Sequence, residues 1–115
     1  FGPALEAHAT HLEEEWIRGV ELRIEADIAL GRHRELIGEL RYLVSTYPLN
    51  EWFHRQLIIA LSRSGRRGEA LQAYHHYRRV LSEELGLDPS PDLQRLQREV
   101  LSAGVPRPLQ LTRAS

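Results

Sequence analysis

Ala26-Asp27-Ile28-Ala29-Leu30-Gly31-Arg32-His33-Arg34-Glu35-Leu36-Ile37-Gly38-Glu39-Leu40 is answered 34 residues on by Ala60-Leu61-Ser62-Arg63-Ser64-Gly65-Arg66-Arg67-Gly68-Glu69-Ala70-Leu71-Gln72-Ala73-Tyr74. Ala26 returns as Ala60, Gly31-Arg32 as Gly65-Arg66 and Glu35 as Glu69, while Leu36 and Leu40 become Ala70 and Tyr74. A 34-residue period marks helix–turn–helix units that stack on one another. The identities fall where such a unit needs them. Glycine suits the turn between the helices, because the position past a helix end often takes a positive φ that only Gly adopts cheaply. Small or apolar residues then follow on the inward stripe of the second helix. Pro48 stands 17 residues after Gly31, where one unit hands over to the next. Its counterpart one period later is Ser82, so the second unit lacks the closing proline.

Outward from these turns the spacing predicts five helices and no strand. The first runs from Pro3 or Ala4 to Leu30, with Leu12, Trp16, Val20, Ile24 and Ile28 as a ridge repeating every four residues. Gly19 interrupts it and is expected to admit a neighbouring helix closely. The second spans His33 to Thr46, with Leu36, Ile37, Leu40, Leu43 and Val44 inward, and Tyr47-Pro48 ends it. The third covers Asn50 to Ser64 and packs Phe53, Leu57, Ala60 and Leu61. The fourth covers Arg67 to Leu85 with Ala70, Leu71, Tyr74, Tyr77 and Leu81 inward, closed by Gly86. Asp88-Pro89-Ser90-Pro91-Asp92 then starts a fifth. Ser90 suits the cap, Pro91 the first helical position and Asp92 the positive end of the dipole. That helix is expected to reach Ser102 with Leu93, Leu96, Val100 and Leu101 inward. Residues 103–115, with Gly104, Pro106 and Pro108, read as a linker or tail. The period and the helix pattern together resemble the tetratricopeptide repeat. The expected fold is therefore all-α, a right-handed α-α superhelix of helical hairpins, with residues 1–102 as one domain.

The composition narrows the function. At 115 residues the chain suits one domain, and its 42% hydrophobic content can furnish a core. No stretch approaches the ~18 apolar residues of a membrane span, and no signal-peptide pattern opens the chain. There is no Cys, so disulfides and thiolate metal sites are excluded. The net charge is −1 with both signs interspersed, unlike the basic face of a nucleic-acid binder. All 15 basic residues are Arg, which the codon bias of a GC-rich genome explains. The chain begins at Phe1 and contains no Met, and is expected to be a piece of a larger protein. A cytoplasmic setting without membrane contact is the natural expectation.

No catalytic constellation emerges. His8 and His11 share a helix face but lack a third ligand at fixed spacing, so they read as surface histidines. His75-His76 are adjacent and point apart. No serine stands in a GxSxG context, and no glycine-rich phosphate loop occurs. The expectation is neither enzyme nor cofactor protein, but an interaction module. Its candidate contacts are Arg63, Arg66 and Arg67 around the second turn, where guanidinium groups either bind a partner's carboxylates or compensate a helix end. Arg78 and Arg79 lie late in the fourth helix, on a face that either meets a partner or is merely solvated. Trp52 precedes the core position Phe53 and belongs either to the rim or to the core.

Five runs carry a closer resemblance. They are Arg23 to His33, Tyr47-Pro48-Leu49-Asn50-Glu51, Ala60 to Arg67, Glu69-Ala70-Leu71, and Leu81-Ser82-Glu83-Glu84-Leu85-Gly86-Leu87-Asp88-Pro89-Ser90-Pro91. In that order they resemble the bacterial transcriptional activator domain of SARP-type antibiotic regulatory proteins, from about Gly2 to Leu101. Ser62 stands where the family commonly has Tyr. Gly2-Pro3-Ala4-Leu5 looks like a segment already inside the domain, so about one helix is expected to be missing. The resemblance implies a domain that follows a winged-helix DNA-binding domain absent from these residues. It also implies regulation of antibiotic biosynthesis genes, self-association, and contact with RNA polymerase. The rival reading is a general tetratricopeptide scaffold gripping a peptide in its groove, with Arg23, Asp27 and His54 on the inner face. A third is a sensor with a metabolite pocket between helices, which no motif marks.

Overall fold

The structure, a computed structural model, describes residues 3–103, with side chains from Thr10 onward. Within them the chain forms α1 (Pro3–Ala29), α2 (His33–Thr46), α3 (Glu51–Arg63), α4 (Arg67–Leu85) and α5 (Pro91–Ala103), and no strand. The tail expected over 103–115 lies, beyond Ala103, outside the described residues.

The two hairpin turns are copies of each other at the backbone level. In the first, Gly31 N–H donates to Ile28 O at 2.9 Å and Arg32 N–H to Asp27 O at 3.0 Å. In the second, Gly65 N–H donates to Ser62 O at 3.1 Å and Arg66 N–H to Leu61 O at 2.8 Å. This paired pattern satisfies the orphan carbonyls of a helix end and requires a left-handed residue between them. Gly31 and Gly65 supply it, at φ 76° and 80°. The sequence echo is thus an echo of turn chemistry. Asn50 caps α3 by accepting from Phe53 N–H at 3.1 Å. Ser90 caps α5 by accepting from Leu93 N–H at 3.2 Å.

α3 is the centre of the array. It packs along α2 on one side and α4 on the other, while α5 closes on α4 and α1 leans on α2 over a short stretch. Leu40, Leu43, Phe53, Ile58, Leu61 and Ala70 form the dry middle of the core. The inward stripes expected for α2, α3 and α4 are buried, with Val44 and Leu71 half-buried against them. Ile58 and His54 join the core without having been expected there.

Three expectations fail, for reasons of reach. Leu12 and Trp16 were expected on the buried ridge of α1, yet each is 51% exposed. At 1.5 Å per residue α1 is about 40 Å long and α2 about 21 Å, so α2 covers only the C-terminal half of α1. Trp16 marks the limit, its ring 6.2 Å from Tyr47 at the far end of α2. Val20, Ile24 and Ile28 lie inside that overlap and are buried or half-buried. Gly19 admits no neighbouring helix, since a Cβ there meets nothing within 4 Å. Leu101 is exposed because α5 packs chiefly on α4, and Leu93 and Val100 already fill that contact.

Candidate functional site

Arg63, Arg66 and Arg67 gather at the second turn, beside the start of α2. Arg63 Nη1 donates to His33 Nε2 at 3.2 Å, which draws the two turn regions together. Arg66 grips Glu69 with two hydrogen bonds, of 2.7 and 2.8 Å. Arg41 reaches across from α2 to the same carboxylate at 2.9 Å. The hydrogen bond from Arg66, more than its charge, holds the Glu69 carboxyl below its ordinary pKa. Arg67 is exposed and has no ion partner among the described residues. The turn therefore holds one committed arginine, Arg66, and two whose charge is available to a partner, Arg63 and Arg67.

The other candidates lie elsewhere. Arg78 and Arg79 are exposed about three turns further along α4. Arg78 borders a small cleft of about 220 Å³ with Tyr74, Asp88, Pro89 and Gln94. Trp52 is half-buried at the start of α3, with its ring edge-on to Phe53 at 5.7 Å. The structure thus brings the three turn arginines together and leaves Arg78, Arg79 and Trp52 as separate patches. His11 is paired with Glu15 at 3.0 Å, the side chain of His8 lies outside the described residues, and no three metal-ligating side chains cluster among the described residues. The residues considered for gripping a peptide are engaged internally. Arg23 bonds Asp27 at 3.1 Å and also Glu39, tying α1 to α2, and His54 is 1% exposed.

Sequence reasoning missed the polar knot that fixes α3, α4 and α5. Glu51 Oε1 accepts from Tyr77 OH at 3.1 Å and from Ser90 N–H at 3.2 Å, and Glu51 Oε2 accepts from Ser90 Oγ. Behind it, His54 Nε2 donates to Pro48 O at 2.8 Å and its ring lies 4.2 Å from that of Tyr77. Burial lowers the His54 pKa to about 4, against the opposing hydrogen bond to Pro48. Burial, then the neighbouring Glu51 charge, raises that of Tyr77. The available signal was Glu51 sitting one residue past the capping Asn50, where the α3 dipole favours a carboxylate. His54 also floors a cleft of about 490 Å³ between α2 and α4, rimmed by Arg41, Ser45, Gln72 and His76.

The model of the family described as "Bacterial transcriptional activator domain" matches residues 2–101. The chain belongs to that family. The activator domain is 43% identical over 102 residues to the regulatory protein AfsR of Streptomyces griseus, covering 89% of this chain and 10% of AfsR. It is 41% identical over 102 residues to the regulatory protein DnrI of Streptomyces peucetius, covering 89% of this chain and 38% of DnrI. Among solved structures it resembles Mycobacterium tuberculosis EmbR in complex with a low-affinity phosphopeptide. There the TM-score is 0.82 with 36% identity, over 88% of this chain and 27% of that one. The activator domain thus spans a tenth to about two-fifths of these relatives. AfsR and DnrI are regulatory proteins. No helix among the described residues is long and apolar enough to cross a membrane.

Proposed function

We propose that this activator domain is the interaction and self-association module of a SARP-type bacterial transcriptional regulator, working in the cytoplasm beside a winged-helix DNA-binding domain. The observation that supports this most is the family match over residues 2–101 to regulators much longer than the matched segment. A stiff three-layer stack of α2, α3 and α4 holds its exposed patches at fixed angles, as stacked hairpins do. With a net charge of −1 the domain is poorly suited to hold DNA by itself. DNA contact then falls to the winged-helix domain, and this domain positions one such head relative to another or touches RNA polymerase. Arg63 and Arg67 at the second turn offer charge to acidic side chains of a partner, and Trp52, Arg78 and Arg79 are further contact candidates.

The test is a division of labour. The isolated chain is expected to give no sequence-specific shift of promoter DNA, whereas the parent regulator lacking these residues is expected to lose transcriptional activation. Tight, specific promoter binding by the isolated chain overturns the reading, as does full activation by the truncated parent.

A further inference from the structure

The cleft of about 490 Å³ over His54 lies in the middle of the array. α2 with Pro48, α3 and α4 build it, and neither α1 nor α5 contributes a residue. Its bareness is therefore not that of a stack end. One wall is Arg41, Val44, Ser45 and Pro48. The other is Glu69, Gln72, Ala73 and His76, with the same steps of three, one and three residues, which keep side chains on one helix face. From Glu69 to His76 the α4 wall runs about 10 Å.

The two ends differ in chemistry. At one end Glu69 takes two hydrogen bonds from Arg66 and one from Arg41. Two guanidinium groups share one carboxylate there, so a positive charge is left over. The Arg41–Glu69 pair is well exposed, and Arg41 gives up that bond at little cost. The other end is marked by Pro48 and His76, both beside His54. His54 Nε2 donates to Pro48 O, so Nδ1 is the acceptor of the neutral ring, and it has no partner among the described residues. Ser64 Oγ is the one wholly buried side-chain polar atom left unpartnered among them, so Nδ1 keeps a sliver of access although His54 is only 1% exposed. Between the ends Val44, Leu57 and Ala73 make an apolar stretch.

We propose that this cleft binds a small carboxylate whose apolar body ends in a hydrogen-bond donor, the carboxylate on Arg41 and the donor on His54 Nδ1. The volume is that of a small-molecule site, and a few polar groups set around an apolar lining are what orient such a ligand. The site is independent of the partner contacts proposed above, and either reading can fail without the other.

The experiment is a nuclear magnetic resonance titration of the ¹⁵N-labelled 115-residue chain with 8-hydroxyoctanoate, octanoate and 1,8-octanediol, repeated on Arg41→Gln and Ser45→Trp. Both substituted positions are exposed, and circular dichroism checks that each variant keeps its helices. The hydroxy acid is expected to give saturable shifts centred on Val44, Leu57, Gln72, Ala73 and His76, and to move the His54 Nδ1 resonance. The diol is expected to bind about tenfold more weakly or worse, and octanoate about threefold more weakly without moving Nδ1. Arg41→Gln is expected to abolish the preference for the hydroxy acid over the diol, and Ser45→Trp to block the cleft to all three. No saturable shift at millimolar hydroxy acid overturns the proposal, as do shifts spread over the exposed leucines. Octanoate binding as tightly as the hydroxy acid overturns the role of Nδ1, and an unchanged preference in Arg41→Gln overturns that of Arg41. An acetylated tripeptide of alanine and leucine with a free carboxylate that competes better than the hydroxy acid overturns the small-molecule reading in favour of a protein C-terminus.

Discussion

The Glu51 carboxylate accepts a hydrogen bond from the Tyr77 hydroxyl at 3.1 Å, and the same carboxylate takes both the backbone N–H and the hydroxyl of Ser90. One side chain at the start of α3 therefore fixes the middle of α4 and the entry to α5. Hydrogen bonds to a charged group contribute about 1.5–3 kcal/mol each when one partner is removed. Glu51→Ala is expected to destabilise the domain by about 3 kcal/mol and Tyr77→Phe by about 1.5 kcal/mol in urea denaturation. The double variant should cost less than the sum, because both changes remove the same bond. Strict additivity would show that the bond contributes nothing.

Tyr77 also sets an alkaline limit. Its pKa is raised in the folded chain from an ordinary value of 10.0, so the folded state holds the phenol proton more tightly than the unfolded state does. That contribution is fully present below pH 10 and is lost as pH rises above it. Chemical denaturation between pH 9 and 11.5 is expected to show a fall in stability that Tyr77→Phe reduces. Parallel curves for the two proteins would refute the assignment.

His54 works in the opposite direction. Its folded pKa of about 4 lies below the ordinary 6.5, so the folded state binds the proton more weakly. Stability is complete above pH 6.5 and falls as pH drops toward 4, by up to about 3 kcal/mol. His54→Gln is expected to be less stable at pH 7.5, through loss of the ring contact with Tyr77, yet flatter between pH 6.5 and 4. A variant with the same acid slope would place the titration elsewhere.

How far the sequence could be read depended on whether a residue's role was local. Gly31 and Gly65 were legible because a Schellman turn is written within six consecutive residues, and the 34-residue echo wrote it twice. The cap at Ser90 was legible for the same reason. The ridge of α1 was not, because Leu12 and Trp16 keep the right spacing but extend past the end of α2, and helix length relative to a neighbour is a tertiary quantity. The Glu51–Tyr77–Ser90 knot joins residues 26 and 39 positions apart, and no periodicity announces a pairing of that kind. Of the candidate contacts, the arginines near one turn could be grouped from sequence. The commitment of Arg66 to Glu69 emerged only with the fold.

The glycines make a paired test of that distinction. Gly65 sits at φ 80°, where any Cβ is strained, so Gly65→Ala is expected to cost about 1–2 kcal/mol. Gly38 lies inside α2, has no positive φ and has open space around the position of a Cβ. Gly38→Ala is expected to stabilise by up to about 1 kcal/mol. Thermal melts of the two variants should move in opposite directions, and a stabilising Gly65→Ala would contradict the turn geometry.

Among the described residues Ile24 is the one fully buried side chain that α1 gives to the core, supported by half-buried Val20 and Ile28 and by the ion pairs of Arg23 with Asp27 and Glu39. The ion pairs are largely exposed and contribute little. The attachment of α1 therefore depends on Ile24. Ile24→Val is expected to cost about 1 kcal/mol and Ile24→Ala about 3 kcal/mol. Loosening α1 also parts Trp16 from Tyr47, whereas α2 to α5 keep their own core. In a Trp52→Phe background only Trp16 reports. Its emission is expected to shift to longer wavelength in Ile24→Ala at denaturant concentrations where most helical signal persists. Coincident loss of Trp16 emission and helical signal would mean that α1 is held by more than this contact and unfolds only with the whole domain.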